Sequence, residues 1–567
     1  MILRRSTVGM VLAAPLWGAG WLCGGWPSSA GASQPGDFVF EDVTTKLGVD
    51  FRHRHGGWGE RWLPETMGAG VAALDYDGDG WTDLFFVQSG RPDELTRARS
   101  AGRLYRNLEG RRLVAVDDAM PEVSGYGQGA LAGDYDGDGH VDLLLLNLGR
   151  NTLLRNRGDG TFVDVTISAG LGARSEWSSS AVWFDADSDG DPDLYVVNYL
   201  EYSPASRVVC RNQAVGVEVY CHPDTHPAAA DAYYSNQGDG TFVDRSDLFA
   251  TDPGKGLGAI AGDFTGDGKV DLYVANDSTP NFLFVAQPDG SFREEALFHG
   301  VSHNAEGRTE AGMGLAAGDV DGNGLEDILV TNLSLETNTL YMARAHAAGV
   351  LFDDATRQAG LHQASRQVLG FGVELADLDN DRDLDLVVGN GDVIDNVELV
   401  NDALRYRQPT QVFAGDGEGR FELAVSPGVA ELSRPKVVRG LVVLDLDNDG
   451  RLDLALALND SRAEIHANRT AASGHLTLRV VDHDRHLGAE IVVRSGESSQ
   501  SAVRRRLRRG SSYQSSSDER VHVGVGAAGE ASVEFRTRCG RRRIEGLTAN
   551  ANLVVSAPTC DGSSRSG

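Results

Sequence analysis

The residues with the clearest chemistry in this 567-residue chain are aspartates. In Asp75-Tyr76-Asp77-Gly78-Asp79-Gly80-Trp81-Thr82-Asp83, carboxylates stand at positions 1, 3, 5 and 9, with glycine at position 6. Side-chain oxygens from 1, 3 and 5, a backbone carbonyl from 7 and a carboxylate from 9 can wrap a hard cation such as Ca2+, and the glycine permits the sharp turn. The pattern recurs six more times. The candidate ligand sets are Asp75, Asp77, Asp79 and Asp83; Asp134, Asp136, Asp138 and Asp142; Asp185, Asp187, Asp189 and Asp193; Asp263, Thr265, Asp267 and Asp271; Asp319, Asp321, Asn323 and Asp327; Asp377, Asp379, Asp381 and Asp385; and Asp445, Asp447, Asp449 and Asp453. Up to seven Ca2+ ions are therefore expected. Thr265 and Asn323 keep an oxygen donor but predict weaker sites. Arg382 takes the glycine position of the sixth loop, where a left-handed residue costs on the order of 1 kcal/mol.

The flanks of these loops are wrong for the helices of an EF-hand. Val71-Ala72-Ala73-Leu74 runs in and Leu84-Phe85-Phe86-Val87 runs out, both short and apolar, which reads as strand, ion loop, strand. Successive loops start 59, 51, 78, 56, 58 and 68 residues apart, the signature of a repeat array. Downstream come a strand ending in asparagine (Leu104-Tyr105-Arg106-Asn107, Leu153-Leu154-Arg155-Asn156, Tyr233-Tyr234-Ser235-Asn236) and a Gly-Asp-Gly turn entering a phenylalanine strand (Gly158 to Thr166, Gly238 to Asp244). Four strands per repeat make propeller blades. The N-terminal segment Phe38 to Thr44 is a phenylalanine strand with no ion loop before it, whereas the seventh loop is followed by Glu464 to Asn468 and no phenylalanine strand. Each end lacks what the other has, so the first strand is expected to complete the last blade and close the ring. The fold class expected is all-β: a seven-bladed β-propeller with Ca-binding loops, plus a small C-terminal β domain.

These loops and phenylalanine strands resemble the FG-GAP/VCBS repeats of integrin-alpha-type propellers. The tail, with Gly488 to Val493, Gly510-Ser511-Ser512-Tyr513-Gln514-Ser515-Ser516-Ser517-Asp518 and His522 to Gly526, resembles an ASPIC/UnbV domain. The combination is similar to the cartilage acidic protein family, here a bacterial member. Leu63 to Gly68 and Ala311 to Gly314 fit that family too. The resemblance implies an exported Ca2+-binding protein of the extracellular or cell-surface kind and implies no reaction; the UnbV name also implies a possible accessory role in enediyne biosynthesis.

Along the chain, residues 1–32 read as a secretory signal: Arg4 and Arg5, an apolar run from Val8, and Ala30-Gly31-Ala32 before Ser33. An uncleaved anchor is the competing reading, and Cys23 after the bulky Leu22 fits a lipoprotein signal poorly. The propeller is expected over 33–469, the ASPIC/UnbV-like domain over 475–557 and a disordered tail over 558–567. Without the signal, Cys210, Cys221, Cys539 and Cys560 remain, consistent with one local bridge in the propeller and one in the tail domain of an exported protein. The net charge is −30. Most of it sits in the cation loops, whose like charges should repel without ions, and such a surface argues against nucleic acid. The tail is arginine-rich instead. Arg504-Arg505-Arg506-Leu507-Arg508-Arg509 and Arg541-Arg542-Arg543 read either as a dock for an anionic surface, including polysaccharide or another molecule's propeller, or as a solvated strand face.

The chain contains no GxSxG, HExxH, Walker or Rossmann fingerprint in a credible context. His53 and His55, with Glu65 nearby, are the candidates for a metal pair, set against a solvent-facing pair in a connecting loop. The residues entering the first strand of each blade, Glu65, Tyr126, Trp177, Lys255, Glu310, Phe371 and Arg439, are expected to ring the axis opposite the ion loops, where a small ligand or glycan would bind. The sequence thus reads as a calcium-binding adhesion or binding scaffold with an unknown protein or glycan partner. The alternative is an enzyme or biosynthetic accessory protein, glycan-active or of the enediyne type, in which Glu65, His53 and Glu310 converge in an axial pocket.

Overall fold

The computed structural model describes residues 37–496, 502–526 and 529–558, so the expected leader lies outside the described residues, as does nearly all of the expected disordered tail. Each ion loop is a hairpin connection. The residue before loop position 1 pairs across the hairpin with the aspartate at position 9: Leu74 with Asp83, Gly133 with Asp142, Phe184 with Asp193, Gly262 with Asp271, Gly318 with Asp327, Ala376 with Asp385 and Leu444 with Asp453. One loop geometry thereby fixes one register seven times.

A blade is complete when the asparagine strand and the outer phenylalanine strand add to this hairpin. In the first blade the order is Val71–Leu74, Asp83–Val87, Gly102–Asn107 and Leu113–Ala115, all antiparallel. The last blade takes its outer strand from the other end of the chain: Phe40–Asp42 pairs with Glu464–Asn468, with Phe40 opposite Asn468. Closure of the ring is therefore a strand pairing between the two termini of the array.

Neighbouring blades bury apolar faces against each other. Val43, Leu47 and Ile465 of the closing blade share a core with Val71, Phe86 and Tyr105 of the first, and an equivalent core fills every other blade-to-blade interface round the ring. The asparagines of the third strands join these interfaces through polar bonds. Asn107, Asn156, Asn236 and Asn468 each donate from Nδ2 to a carbonyl of their own blade and to the position-2 carbonyl of the ion loop in the preceding blade, Leu446, Tyr76, Tyr135 and Leu378 respectively. A buried amide in this position costs nothing in unmade hydrogen bonds and ties one ion loop to the next blade.

The tail is a two-sheet β unit. One sheet orders Val521–Gly526, Gly474–Val481 and Ala551–Ser556, and the other orders Ala502–Arg506, Glu490–Ser495, Glu530–Thr537 and Gly540–Thr548. Leu476, Ile491, Val523, Val533 and Phe535 form the core between them.

Candidate functional site

All seven ion loops are held by the same internal bonds. The N–H at position 6 donates to the position-1 carboxylate, as from Gly80 to Asp75 (3.0 Å), Gly139 to Asp134 (2.9 Å) and Gly450 to Asp445 (3.0 Å). The position-9 carboxylate is buried and accepts twice. One oxygen takes the loop's own position-2 N–H and the other takes an N–H of the third strand: Tyr76 and Asn107 on Asp83, Thr265 and Ala286 on Asp271, Leu446 and Asn468 on Asp453. Burial pushes these acids up, Asp83 to about 8 and Asp193, Asp271 and Asp327 to about 7, which is the electrostatic cost of gathering carboxylates away from water.

What the loops leave uncommitted is specific. Asp75, Asp263, Asp319 and Asp377 at position 1, and Asp77 and Asp447 at position 3, each keep a buried Oδ1 with no hydrogen-bond partner. Carboxylate oxygens of Asp75, Asp77 and Asp83, and of the matching triplets Asp134, Asp136 and Asp142; Asp319, Asp321 and Asp327; and Asp377, Asp379 and Asp385, lie within 4.8 Å of one another, as do those of Asp185, Asp187 and Asp189. These clusters can hold metal ions, and an all-oxygen donor set suits a hard cation such as Ca2+. Asp79, Asp138, Asp267, Asp381 and Asp449 complete the candidate positions. Thr265 donates its hydroxyl to Asp271 (3.0 Å), and Asn323 accepts at Oδ1 from Leu325 N–H (2.7 Å). Arginines balance part of the charge: Arg106 lies 2.6 Å from Asp77 and 3.0 Å from Asp79, and Arg155 lies 2.8 Å from Asp136 and 2.9 Å from Asp138.

The seven axial residues go to different environments. Tyr126, Trp177 and Phe371 are buried in one apolar cluster with Leu63, Met67, Leu257 and Met313. Arg439 is fully buried, spends its guanidinium on the carbonyls of Thr66, Gly391, Val438 and Asp392, and lies 4.0 Å over the Phe371 ring. Lys255 pairs with Asp224. Glu65 accepts from Tyr220 Oη (2.9 Å), while Glu310 accepts from Asn304, Asn332 and Thr339. His53 is buried, not solvent-facing: Nδ1 accepts from Asp460 N–H, so Nε2 donates to Ser89 Oγ at 2.7 Å. His55 instead accepts at Nδ1 from Gly57 N–H. The two histidines therefore form no metal pair, and His53, Glu65 and Glu310 sit in three separate hydrogen-bond networks. A cavity of about 340 Å3 does lie in this region, and Phe371 is the one axial residue of the seven that lines it.

Residues 75–145, 134–196, 218–274 and 263–330 match the FG-GAP-like repeat, and residues 482–560 match the ASPIC and UnbV domain. The chain carries FG-GAP-like repeats and an ASPIC and UnbV domain. It is similar to cartilage acidic protein 1 of Xenopus tropicalis, 25% identical over 533 residues (87% of this chain, 74% of that protein), and of Homo sapiens, 25% identical over 534 residues (87% and 73%). Among solved structures, one titled YCF48 bound to D1 peptide aligns at 8% identity over 77% of this chain and 99% of that chain, with a TM-score of 0.39. These domains and relatives suggest a binding or scaffold role.

The ASPIC and UnbV domain packs on the ion-loop face and sends Gly510 to Asp518 into the propeller axis. There the loop pairs with the exposed edges of the inner strands. Ser512 exchanges backbone bonds with Leu315, Ser516 bonds to Val71 and Ala73, and Gln514 O accepts from Ala130. The hydroxyls of Ser511 and Ser517 both donate to the buried Glu374, and that of Ser512 donates to Leu441 O. Gly70 and Gly129 have no room for a side chain here, because a Cβ would stand 2.1 Å and 2.7 Å from Gln514 O. The serine-rich stretch is thus a polar plug whose short side chains satisfy strand edges that face the channel.

The basic run beside it is turned inward. Arg506 and Arg508 meet Glu326 of the propeller, and Arg509 holds Asp484 (2.8 Å) and Glu519. Arg538 pairs with Asp185, and Arg479 lies 3.2 Å from Asp75. Arg506 and Arg508 therefore dock on the acidic propeller of their own chain, while Arg504 pairs with Glu490 and Arg509 with Asp484 and Glu519 inside the tail domain. Arg541, Arg542 and Arg543 remain exposed. The Cys210–Cys221 disulfide closes the hairpin that carries Tyr220 toward Glu65; the other expected pairing, of Cys539 with Cys560, ends on a residue outside the described residues.

Arg382 adopts φ +94°, whereas the equivalent Gly80, Gly139 and Gly324 lie at +86° to +87°. Arg382→Gly is expected to raise stability by about 1 kcal/mol in urea unfolding. His53 titrates near 3 because burial disfavours its charged form. The unfolded chain takes up that proton below about 6.5, so stability from neutral His53 is present above 6.5 and lost as pH falls. With Ca2+ saturating, the advantage of the wild type over His53→Gln should shrink by about 2 kcal/mol between pH 7 and pH 5 in denaturant titrations.

Proposed function

We propose that the protein is an exported calcium-binding propeller acting as a non-catalytic binding scaffold at the cell surface or outside the cell. The observation that carries this reading is the set of buried, uncommitted oxygens at loop positions 1 or 3 in five of the seven loops. Bound Ca2+ would supply positive charge to carboxylates that burial otherwise opposes. The chain's own contribution is to hold those oxygens in place through the position-6 and position-9 bonds. Export is supported by the leader-like sequence and by the Cys210–Cys221 disulfide, which suits an oxidising compartment. The partner is a protein or glycan, and Arg541 to Arg543 offer an anionic one a place to dock.

Thermal unfolding with excess Ca2+ and then with chelator, alongside a metal count, tests the first part. Six or seven ions per chain and a large fall in melting temperature on chelation are expected; unchanged melting with few ions would overturn it. For the arginine strand, salt-dependent retention on an anionic polysaccharide column is expected to fall when Arg541, Arg542 and Arg543 are all changed to Ser. Equal retention of that variant would remove this docking surface.

A further inference from the structure

The cavity of about 340 Å3 lies at the end of the axis away from the ion loops. Its walls are Leu63, Met67, Leu257, Met313, Leu333 and Phe371, with the disulfide hairpin at Tyr220–Pro223 and the short helix Val397–Val400 also contributing. The approach from the ion-loop face is filled by the chain itself: Tyr513, in the axial plug, packs its ring 4.7 Å from that of Phe371 within the same apolar cluster. The axial plug thus stands between this pocket and the ion-loop face.

Its chemistry selects against the glycan expected at this rim. A sugar carries more hydroxyls than Asp277 and Asp392 could partner, and the rest would stand against leucine, methionine and phenylalanine. The lining also holds His222 and Asn401, and its hydroxyls are already spent as donors: Thr66 to Leu63 O, Tyr220 to Glu65, Tyr199 and Ser278 to Asp277, and Ser334 to Asp392, which leaves the two aspartates as the charged groups at the wall. Asp277 accepts from Tyr199 Oη (2.6 Å) and Ser278 Oγ (2.9 Å), and Asp392 accepts from Ile394 N–H (2.9 Å) and Ser334 Oγ (3.2 Å). No arginine or lysine is among the lining residues. Lys255 is engaged by Asp224, and Arg439 by four backbone carbonyls. A ligand carboxylate would meet two buried acids and no arginine or lysine, whereas a hydroxyl or amine would meet carboxylate acceptors. Met67 and Met313 give the walls an adaptable surface for an aliphatic or aromatic body.

We propose that this pocket binds one small amphiphile with an apolar body and a hydrogen-bond-donating, non-acidic head directed at Asp277 or Asp392. The volume falls in the range of small-ligand sites. The site is independent of cation occupancy in the loops, so its failure and the failure of the calcium reading are separable.

The test uses the intact, Ca2+-saturated protein and the neutral fluorescent probe N-phenyl-1-naphthylamine. Saturable binding of one probe per chain is expected, displaced by 1-octanol and not by octanoate. Leu257→Trp and, from a second wall residue, Met313→Trp should each weaken binding at least tenfold while keeping the wild-type melting response to chelation. Ile167→Ser, at a residue 66% exposed and outside the pocket, should leave binding unchanged. Absence of saturable binding, displacement by octanoate as readily as by octanol, or unaltered affinity in folded Leu257→Trp or Met313→Trp would overturn the proposal.

Discussion

Seven buried carboxylates organise this molecule. The position-9 aspartate of each repeat closes its hairpin, takes the N–H of its own loop and takes an N–H from the third strand, so one side chain joins three parts of a blade. The arrangement concentrates negative charge where water is scarce, which is why burial dominates the behaviour of these acids. It also makes a cation at the loop the natural counterpart of the fold's own hydrogen bonding. Asparagines pass the effect onward by tying one blade to the loop of the one before.

The second constraint is the channel that any ring of blades creates. Inner strands present N–H and C=O groups to the axis, and in this chain a loop from the C-terminal domain answers many of them. Serine suits the task because its hydroxyl donates or accepts on a side chain short enough to lie between strands. Two glycines of the propeller admit the loop's backbone at distances no other residue would tolerate. The tail is consequently part of the propeller's axis, and its arginines complete the contact by pairing with acids on the ion-loop face.

The two faces then differ in kind. One is polar, charged and covered by the chain's own tail, with the aspartate loops beneath. The other holds an apolar pocket whose Phe371 is backed by a tyrosine ring from that tail. A scaffold built this way keeps its electrostatics on one side and its apolar recognition chemistry on the other.

The sequence by itself determined the repeat, the spacing of the loop aspartates, the all-β propeller and its closure by Phe40–Asp42, because each is a matter of short spacing or of what one end lacks and the other has. Arg382 as the odd residue of its turn was legible for the same reason: its φ is set by a local pattern that six glycines define. Tertiary structure alone decided which axial residues share an environment. Glu65 and Glu310 are both rim acids in sequence, yet Glu65 takes its donor from the distant disulfide hairpin and Glu310 takes its donors from nearby residues of its own part of the chain, and they never meet. The places taken by the serine stretch and by Arg506 and Arg508 were not legible, because their partners Val71, Leu315, Glu326 and Glu374 stand more than a hundred residues away. The axial cavity is apolar for the same physical reason, since its walls are assembled from several blades, a disulfide hairpin and a short helix that no local pattern brings together.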